Sequence, residues 1–109
     1  MKKKAEEVVE KEVEVKQTIE NISPWTIGDA YTTRQDLYVW EDAGENKKDF
    51  DDLPDKLKDV CSQDEFGKAI MSSGARVVIE DVKESDGTFW AKINGGWICG
   101  KSPKLVYVS

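Results

Sequence analysis

The chain has 109 residues, a formal net charge of −6 and no histidine. This length provides one domain with a modest core, and the negative charge disfavours nucleic-acid binding through a basic surface. The absence of histidine excludes Ser-His-Asp and Cys-His catalysis and His-containing zinc sites. We therefore predict a protein that is not an enzyme and that holds neither a cofactor nor a metal.

The sequence contains no signal for a membrane or for export. No apolar run approaches the roughly 18 to 20 residues that span a bilayer, and glutamates interrupt "MKKKAEEVVEKEVEV" where a signal peptide needs its apolar region. We predict no membrane contact and a cytoplasmic location when the chain is synthesised. Cys61 and Cys99 have neither a metal-ligand nor a redox spacing, so reduced thiols are expected.

Residues 1–23 form a charged extension without glycine or proline. Six of its apolar residues fall on the a and d positions of a heptad, although Glu12 occupies a seventh such position and interrupts the seam. "EVEVKQTIE" gives a competing strand pattern, because Val13 and Val15 alternate with polar residues. We favour a helix, through which the chain would form a homo-oligomer, and keep the strand as the alternative. The heptad positions are Met1, Ala5, Val8, Glu12, Val15, Ile19 and Ile22.

The domain proper is predicted at 24–109, because Pro24 disfavours a helix at the residue before it. Its first part, "WTIGDAYTTRQDLYVW", is expected to form short strands at 26–27, 31–33 and 37–40. With period two, Leu37 and Val39 lie on one face of the last strand, and Tyr38 and Trp40 lie on the other.

An acidic helical insert is predicted at 41–66. Residues 41–65 contain ten acidic residues and four lysines, so this segment carries a charge equal to that of the whole chain. The spacing of its apolar residues is that of one stripe of a short helix, with Asp52 as the cap and Pro54 in the first turn. These apolar residues are Phe50, Leu53, Leu57 and Val60.

From residue 68 onward the chain is predicted to be β-structure again. The expected strands are "KAIM", "ARVVIEDVK", "TFWAKI", "WICG" and "LVYV", separated by turns. In "TFWAKI", Phe89, Ala91 and Ile93 share one face, while Trp90 and Lys92 share the other. The whole pattern predicts a mainly β fold, a small barrel or strongly bent sheet with one short helical insert.

Aromatic side chains are the strongest candidates for a binding site. Aromatics in strands most often pack in the core, and we assign Trp97 to it. Tyr38 and Trp40 are the best ligand-binding candidates, because they lie opposite Leu37 and Val39 and directly precede the acidic segment. The full candidate set is Tyr31, Tyr38, Trp40 and Trp90.

The C-terminal stretch "AIMSSGARVVIEDVKESDGTFWAKINGGWICG" resembles the second half of bacterial SH3-like (SH3b) domains, with their "W-x-K-I", short turn and "GWI". "GDAYTTRQDLYVW" is similar to the opening strands of that family. The resemblance covers about residues 26–108. Within the family, the sequence is most similar in pattern to SH3b domains at the ends of cell-wall hydrolases from phages of clostridia-like Gram-positive hosts. Trp40 stands where the family usually has arginine, and "EDAGEN" replaces its usual "sGPG" loop.

The resemblance implies an SH3-like barrel that acts at the cell wall. Such a module binds peptidoglycan, through its peptide stems or cross-bridges, without catalysis. The alternative is a freestanding phage or mobile-element protein that binds and inhibits a host protein, for example a defence nuclease, through its acidic insert. The concentration of charge motivates this alternative, and its partner-binding residues would be Asp49, Asp51, Asp52 and Asp55.

Overall fold

The computed structural model describes residues 23–109 as a mainly β domain. The charged extension, with its predicted helix or strand and its predicted self-association, lies outside the described residues. The predicted fold class, mainly β with a short helical segment, is confirmed. In chain order the elements are β1 (Ala30–Thr32), β2 (Leu37–Tyr38), β3 (Trp40–Asp42), β4 (Glu45–Lys47), a 3-10 helix (Phe50–Asp52), α1 (Asp55–Lys58), β5 (Cys61–Gln63), β6 (Ala69–Met71), β7 (Arg76–Val78), β8 (Asp81–Ser85), β9 (Thr88–Ile93) and β10 (Gly96–Lys101).

Three antiparallel sheets enclose one core in a barrel-like arrangement. The largest sheet has the strand order β4-β3-β10-β9-β8, the second has the order β2-β6-β5, and β1 pairs with β7. The hairpin of β9 and β10 turns at Asn94 and Gly95, where the φ of Gly95 is +116°, an angle that favours glycine. This hairpin is the longest paired segment and forms the centre of the large sheet.

The core follows the predicted alternation of the strands. Leu37 and Val39 are buried while their neighbours Tyr38 and Trp40 are half-buried, as period two requires. Along β9 the predicted inward residues are also buried. With further side chains from β6, β7 and β10 they form a single cluster that includes Phe89, Ala91, Ile93, Met71, Val77, Ile79 and Ile98.

The helical insert is shorter than predicted. Its four apolar residues do pack in or against the core, but Pro54 divides them between the 3-10 helix and the single turn of α1. Proline lacks the N–H that would continue a helical hydrogen-bond ladder, so one continuous helix does not form. Asp52 is not a cap, since Asp49 precedes the 3-10 helix and Pro54 precedes α1. The hairpin of β3 and β4 and the strand β5 occupy most of the remaining insert.

Three predicted strands are also different. Ile27 and Gly28 form a turn, and "LVYV" contributes isolated bridges and no continuous strand. "ARVVIEDVK" is divided into β7 and β8, because Ile79 N–H donates to Asp29 while Glu80 N–H donates to Lys92, which belongs to another sheet. The chain therefore passes from one sheet to the next at this point. No helix within residues 23–109 is long and apolar enough to cross a membrane.

Candidate binding site

One side of the five-stranded sheet carries large aromatic side chains. Residues paired across antiparallel strands point to the same side of a sheet. Trp97 pairs with Trp40 of β3, and Trp90 pairs with Cys99 of β10. Since Ile98 is in the core, its neighbours Trp97 and Cys99 face outward, and their partners do the same. We call Trp40 and Trp90, together with Tyr38 of the adjoining strand β2, the outer aromatic surface.

Trp40 and Trp90 are in direct contact. Their ring centroids are 5.9 Å apart and the planes meet at 82°, an edge-to-face arrangement that favours aromatic pairs. The turn between β3 and β4 closes on Trp90, since a Cβ added to Gly44 would lie 3.2 Å from its Cζ2 atom. Both indoles are thereby oriented by their neighbours while remaining partly exposed.

Tyr38 is joined to this pair through the cation of Lys47. The Nζ atom of Lys47 lies 3.8 Å from the centroid of the Tyr38 ring and 5.6 Å from that of Trp40. Ammonium groups are attracted to the faces of aromatic rings. The surface therefore presents one positive charge between two rings.

Asp64 fixes the phenol of Tyr38. The Tyr38 hydroxyl donates a hydrogen bond of 2.9 Å to Asp64 Oδ2, and this bond raises the pKa of Tyr38. The other oxygen, Oδ1, accepts the backbone N–H groups of Lys68 and Phe66. These bonds, that of Lys68 first, lower the pKa of Asp64. An ionised carboxylate therefore holds a neutral phenol in one orientation.

Trp97 is buried, but it lies on the outer side of the sheet. Only 6% of its surface is exposed, yet it is not part of the main core cluster. Lys83 Nζ lies 4.8 Å from its ring centroid and forms an ion pair of 2.7 Å with Asp42 Oδ1. The hydrogen bond from Lys83 lowers the pKa of Asp42. The Lys83 side chain thus lies over Trp97. The predicted burial of Trp97 is confirmed, and the residue lies on the outer side of the sheet, beneath the outer aromatic surface.

Tyr31 does not join the other candidates. It lies on β1 in the two-stranded sheet, and its ring packs against the core. Its hydroxyl accepts the N–H of Thr26 at 2.7 Å. The structure therefore gives Tyr31 a packing role and brings together only Tyr38, Trp40 and Trp90 of the predicted set.

The four acidic candidates lie along one exposed stretch around the 3-10 helix. Asp49 precedes this helix and pairs with Lys68 at 2.7 Å. Asp51 and Asp52 belong to the helix, and Asp55 begins α1. All four side chains are exposed, and Asp49 is the one that an ion pair engages within residues 23–109.

Three residues of this region were not predicted as site residues. Lys47 and Asp64 contact Tyr38, and Phe66 lies in the turn that Asp64 organises, with 76% of its surface exposed. The stretch "CSQDEFGK" contains strand β5 and the turn that carries Phe66. An aromatic residue within a polar turn, followed by glycine, is the pattern that could have identified Phe66.

The two thiols are poor nucleophiles. Both cysteines are free, and burial raises the pKa of Cys61 to about 11 and also raises that of Cys99. A thiol is reactive as its thiolate, so both are protonated and inert near neutral pH. Among residues 23–109, no group of three acidic or cysteine side chains is placed to hold a metal ion.

No family model, curated protein or solved structure matches this chain. The site is therefore interpreted from its own geometry.

Proposed function

We propose that this protein is a non-catalytic module of the SH3-like type that recognises the peptidoglycan of a Gram-positive cell wall. The observation that carries the proposal is the convergence of Tyr38, Trp40 and Trp90, from two neighbouring sheets, as partly exposed rings that face away from the core. Rings that present an apolar face next to polar groups suit ligands with both characters.

Peptidoglycan has the chemistry that this surface complements. The C–H faces of its amino sugars and their acetyl groups can stack on the indoles of Trp40 and Trp90. Its peptide stems carry carboxylates, which would be attracted to Lys47 beside the Tyr38 ring. Because Asp64 already holds the Tyr38 hydroxyl, little side-chain freedom remains to be lost when a ligand binds.

The position of the shared motifs supports the SH3-like assignment. The stretches "W-x-K-I" and "GWI" fall on β9 and β10, the two strands of the central hairpin. Protonated thiols and the lack of histidine favour a binding role over a catalytic one. Through this binding, the protein would keep a lytic enzyme, or another partner protein, at the cell wall.

Co-sedimentation with purified cell walls tests the proposal. The protein should pellet with walls of a clostridia-like host, and Tyr38→Ala combined with Trp40→Ala should weaken binding at least tenfold, about 1.4 kcal/mol. Leu105→Ala is a suitable control, because Leu105 is a 57% exposed apolar residue of the C-terminal loop. Circular dichroism verifies that both variants fold. Failure of the intact protein to pellet with any such wall would contradict the proposal.

A second candidate function is binding to a basic host protein through the acidic stretch. It is favoured by the exposure of Asp51, Asp52 and Asp55 along consecutive helical turns, where their charges remain available to a partner. Its test is a pull-down with the intact protein at low and high salt. A specific partner should be lost at high salt and after Asp49, Asp51, Asp52 and Asp55 are changed to asparagine. A partner retained by the asparagine variant would contradict this function.

A further inference from the structure

A groove lies between α1, β7 and the turn that joins β9 and β10, and it shares no lining residue with the outer aromatic surface. Its volume is about 290 Å³, at the lower end of the size of ligand pockets. Its floor is formed by apolar side chains that belong to the core or pack against it, so it suits a short stretch of peptide with apolar side chains. These residues are Leu57, Val60, Val77 and Ile93.

One wall of the groove is the outer edge of β7. At the end of this strand, Ile79 N–H donates to Asp29 O at 3.1 Å, so the main-chain groups of the odd-numbered residues are directed at β1 and the residues before it. Main-chain groups alternate in direction along a strand, and those of Arg76 and Val78 therefore point away from β1. Within residues 23–109 no hydrogen bond engages them. These groups thus form a strand edge that can receive another strand.

The other walls of the groove limit what can reach this edge. They are provided by Lys56 and Leu57 of α1 and by Asn94 of the turn between β9 and β10. A single extended chain can enter between these walls and add main-chain hydrogen bonds to β7, whereas α1 would obstruct the approach of a whole sheet. The shape therefore favours a peptide strand over edge-to-edge pairing of two copies.

The charges that line the groove favour an acidic peptide. Lys56 and Arg76 are exposed, and neither forms an ion pair within the part of the chain that the structure describes. Glu80 is the acidic residue of the lining, and its carboxylate is already engaged by Lys92 Nζ at 3.2 Å. A carboxylate on the peptide would therefore meet two available cations, in a protein whose net charge is −6.

We propose that this groove binds an acidic, extended segment of a partner protein as an additional antiparallel strand beside β7. Residues opposite each other on antiparallel strands point to the same side of the sheet. The peptide residue opposite Val77 then lies above the apolar floor, because Val77 is buried, and the residue opposite Arg76 is acidic. The residue opposite Val78, which is 50% exposed, is also apolar.

The recognised sequence, in the direction of the peptide chain, is thus two apolar residues followed by an acidic one. This interaction uses a surface other than the outer aromatic surface. It goes beyond the wall-binding proposal and does not depend on it.

Titration of the full chain with acetyl-Thr-Val-Leu-Glu-Leu-Thr-amide tests the proposal. With the first leucine opposite Val77, the glutamate of this peptide lies opposite Arg76. The dissociation constant should be below about 1 mM. Arg76→Gln should weaken binding at least threefold, but it should not weaken binding of the peptide that has glutamine in place of glutamate. Lys104→Gln, at an exposed lysine of the C-terminal loop, is the matched control.

Two results of this titration would overturn the proposal. One is the absence of binding at the stated concentration. The other is an equal loss for the glutamate and glutamine peptides in Arg76→Gln, because the groove would then not recognise the acidic side chain.

Amide hydrogen exchange tests the strand pairing. In the free chain the amides of Arg76 and Val78 should exchange rapidly, and saturating peptide should slow both at least tenfold, because they become donors to peptide carbonyls. Val78→Pro removes one of these donors without removing a bond to β1 and should weaken binding more than Val78→Ala, which keeps the N–H. Circular dichroism verifies that both variants fold.

The exchange measurement decides even if the proline variant does not fold. Protection of the Arg76 and Val78 amides in the free chain would show that another segment or a second copy already covers the edge. Peptide binding without protection would show that the groove holds the peptide without strand pairing. Either result would overturn the proposal.

Discussion

On the inner side of the five-stranded sheet, Ala91 and Ile98 are fully buried, as is Val39 just before β3, whereas on the outer side Trp40 and Trp90 remain partly exposed. The small inner side chains fill space that the second sheet and the helical segment enclose. The larger outer rings are covered only in part, by each other and by lysine side chains. In this fold the largest aromatic side chains are therefore not the most deeply buried ones. Trp40 and Trp90 keep part of their ring surface available to a ligand.

The largest loss of stability is expected at Trp97, because this residue lies on the outer side of the sheet and is nevertheless buried. Because this outer-side residue is buried, Trp97→Ala should lower the free energy of unfolding by about 3–5 kcal/mol. Trp90→Ala, on the neighbouring strand of the same side, should cost only about 1 kcal/mol. Urea denaturation measures both. Equal losses for the two variants would contradict the different burial of these indoles.

A smaller effect on the inner side should leave binding intact. Ile98→Val removes one methylene group from a fully buried position and should lower the free energy of unfolding by about 0.5–1.5 kcal/mol. Urea denaturation measures this loss. Wall co-sedimentation should be unchanged, because Ile98 faces away from Trp40 and Trp90. A variant that is folded but no longer pellets would show that the two sides are coupled.

The ion pair above Trp97 should contribute little to the free energy of unfolding, because both of its side chains are exposed to solvent. Asp42→Asn keeps an oxygen for the Ala43 N–H but removes the charge that Lys83 pairs with. Since both partners are about half-exposed, salt should reduce the loss further. Glu80→Gln removes a comparably exposed pair with Lys92 and is the matched control for urea denaturation at low and high salt. A large loss at high salt would point to a role in covering Trp97.

The smallest effect concerns the titration of Tyr38. Asp64→Asn should bring the Tyr38 pKa back toward its ordinary value of 10.0, because the bond to the Asp64 carboxylate is the main cause of its rise. Ultraviolet absorbance at alkaline pH follows the phenolate, with Tyr38→Phe identifying its transition. Tyr107→Phe, on the C-terminal segment, is the control and should leave that transition in place.

The raised pKa of Tyr38 also sets a direction for stability. The folded state keeps the proton at a pH where the unfolded chain begins to lose it. The contribution of the protonated Tyr38 hydroxyl to the free energy of unfolding is therefore fully present below pH 10.0. It is lost as the pH rises through the pKa that Tyr38 has in the folded state. Asp64→Asn should reduce this alkaline loss in urea denaturation. If Asp64→Asn loses as much stability at alkaline pH as the unchanged protein, the loss is due to a group other than Tyr38.

Local alternation predicted much of the fold and part of the site. The faces of β9 and the opposition of Tyr38 and Trp40 to Leu37 and Val39 follow from period two, which holds wherever one face is buried. The contact between Trp40 and Trp90 depends on the pairing of β3, β10 and β9. Such pairing between distant segments cannot be obtained from the spacing of residues within one strand.

The error in the helical insert has an identifiable physical cause. The regular apolar spacing around Pro54 suggested one helix, but the proline allows the same residues to face the core from two short helical segments. Trp97 is buried as predicted, but its position next to Ile98 in a strand places it on the opposite side of the sheet from the main core cluster. Alternation therefore identifies the side of the sheet, and hydrophobicity identifies the burial.

The indole of Trp25 donates a hydrogen bond of 2.8 Å to the carbonyl of Val108, and its ring lies so close to Gly100 that no side chain fits there. Arg34 also contacts the terminal carbonyl of Ser109. Residues 25 and 108 are thus held side by side at the margin of the core. The domain is consequently suited to circular permutation, with a short linker from Ser109 to Ser23 and new termini in the exposed turn at Asp86.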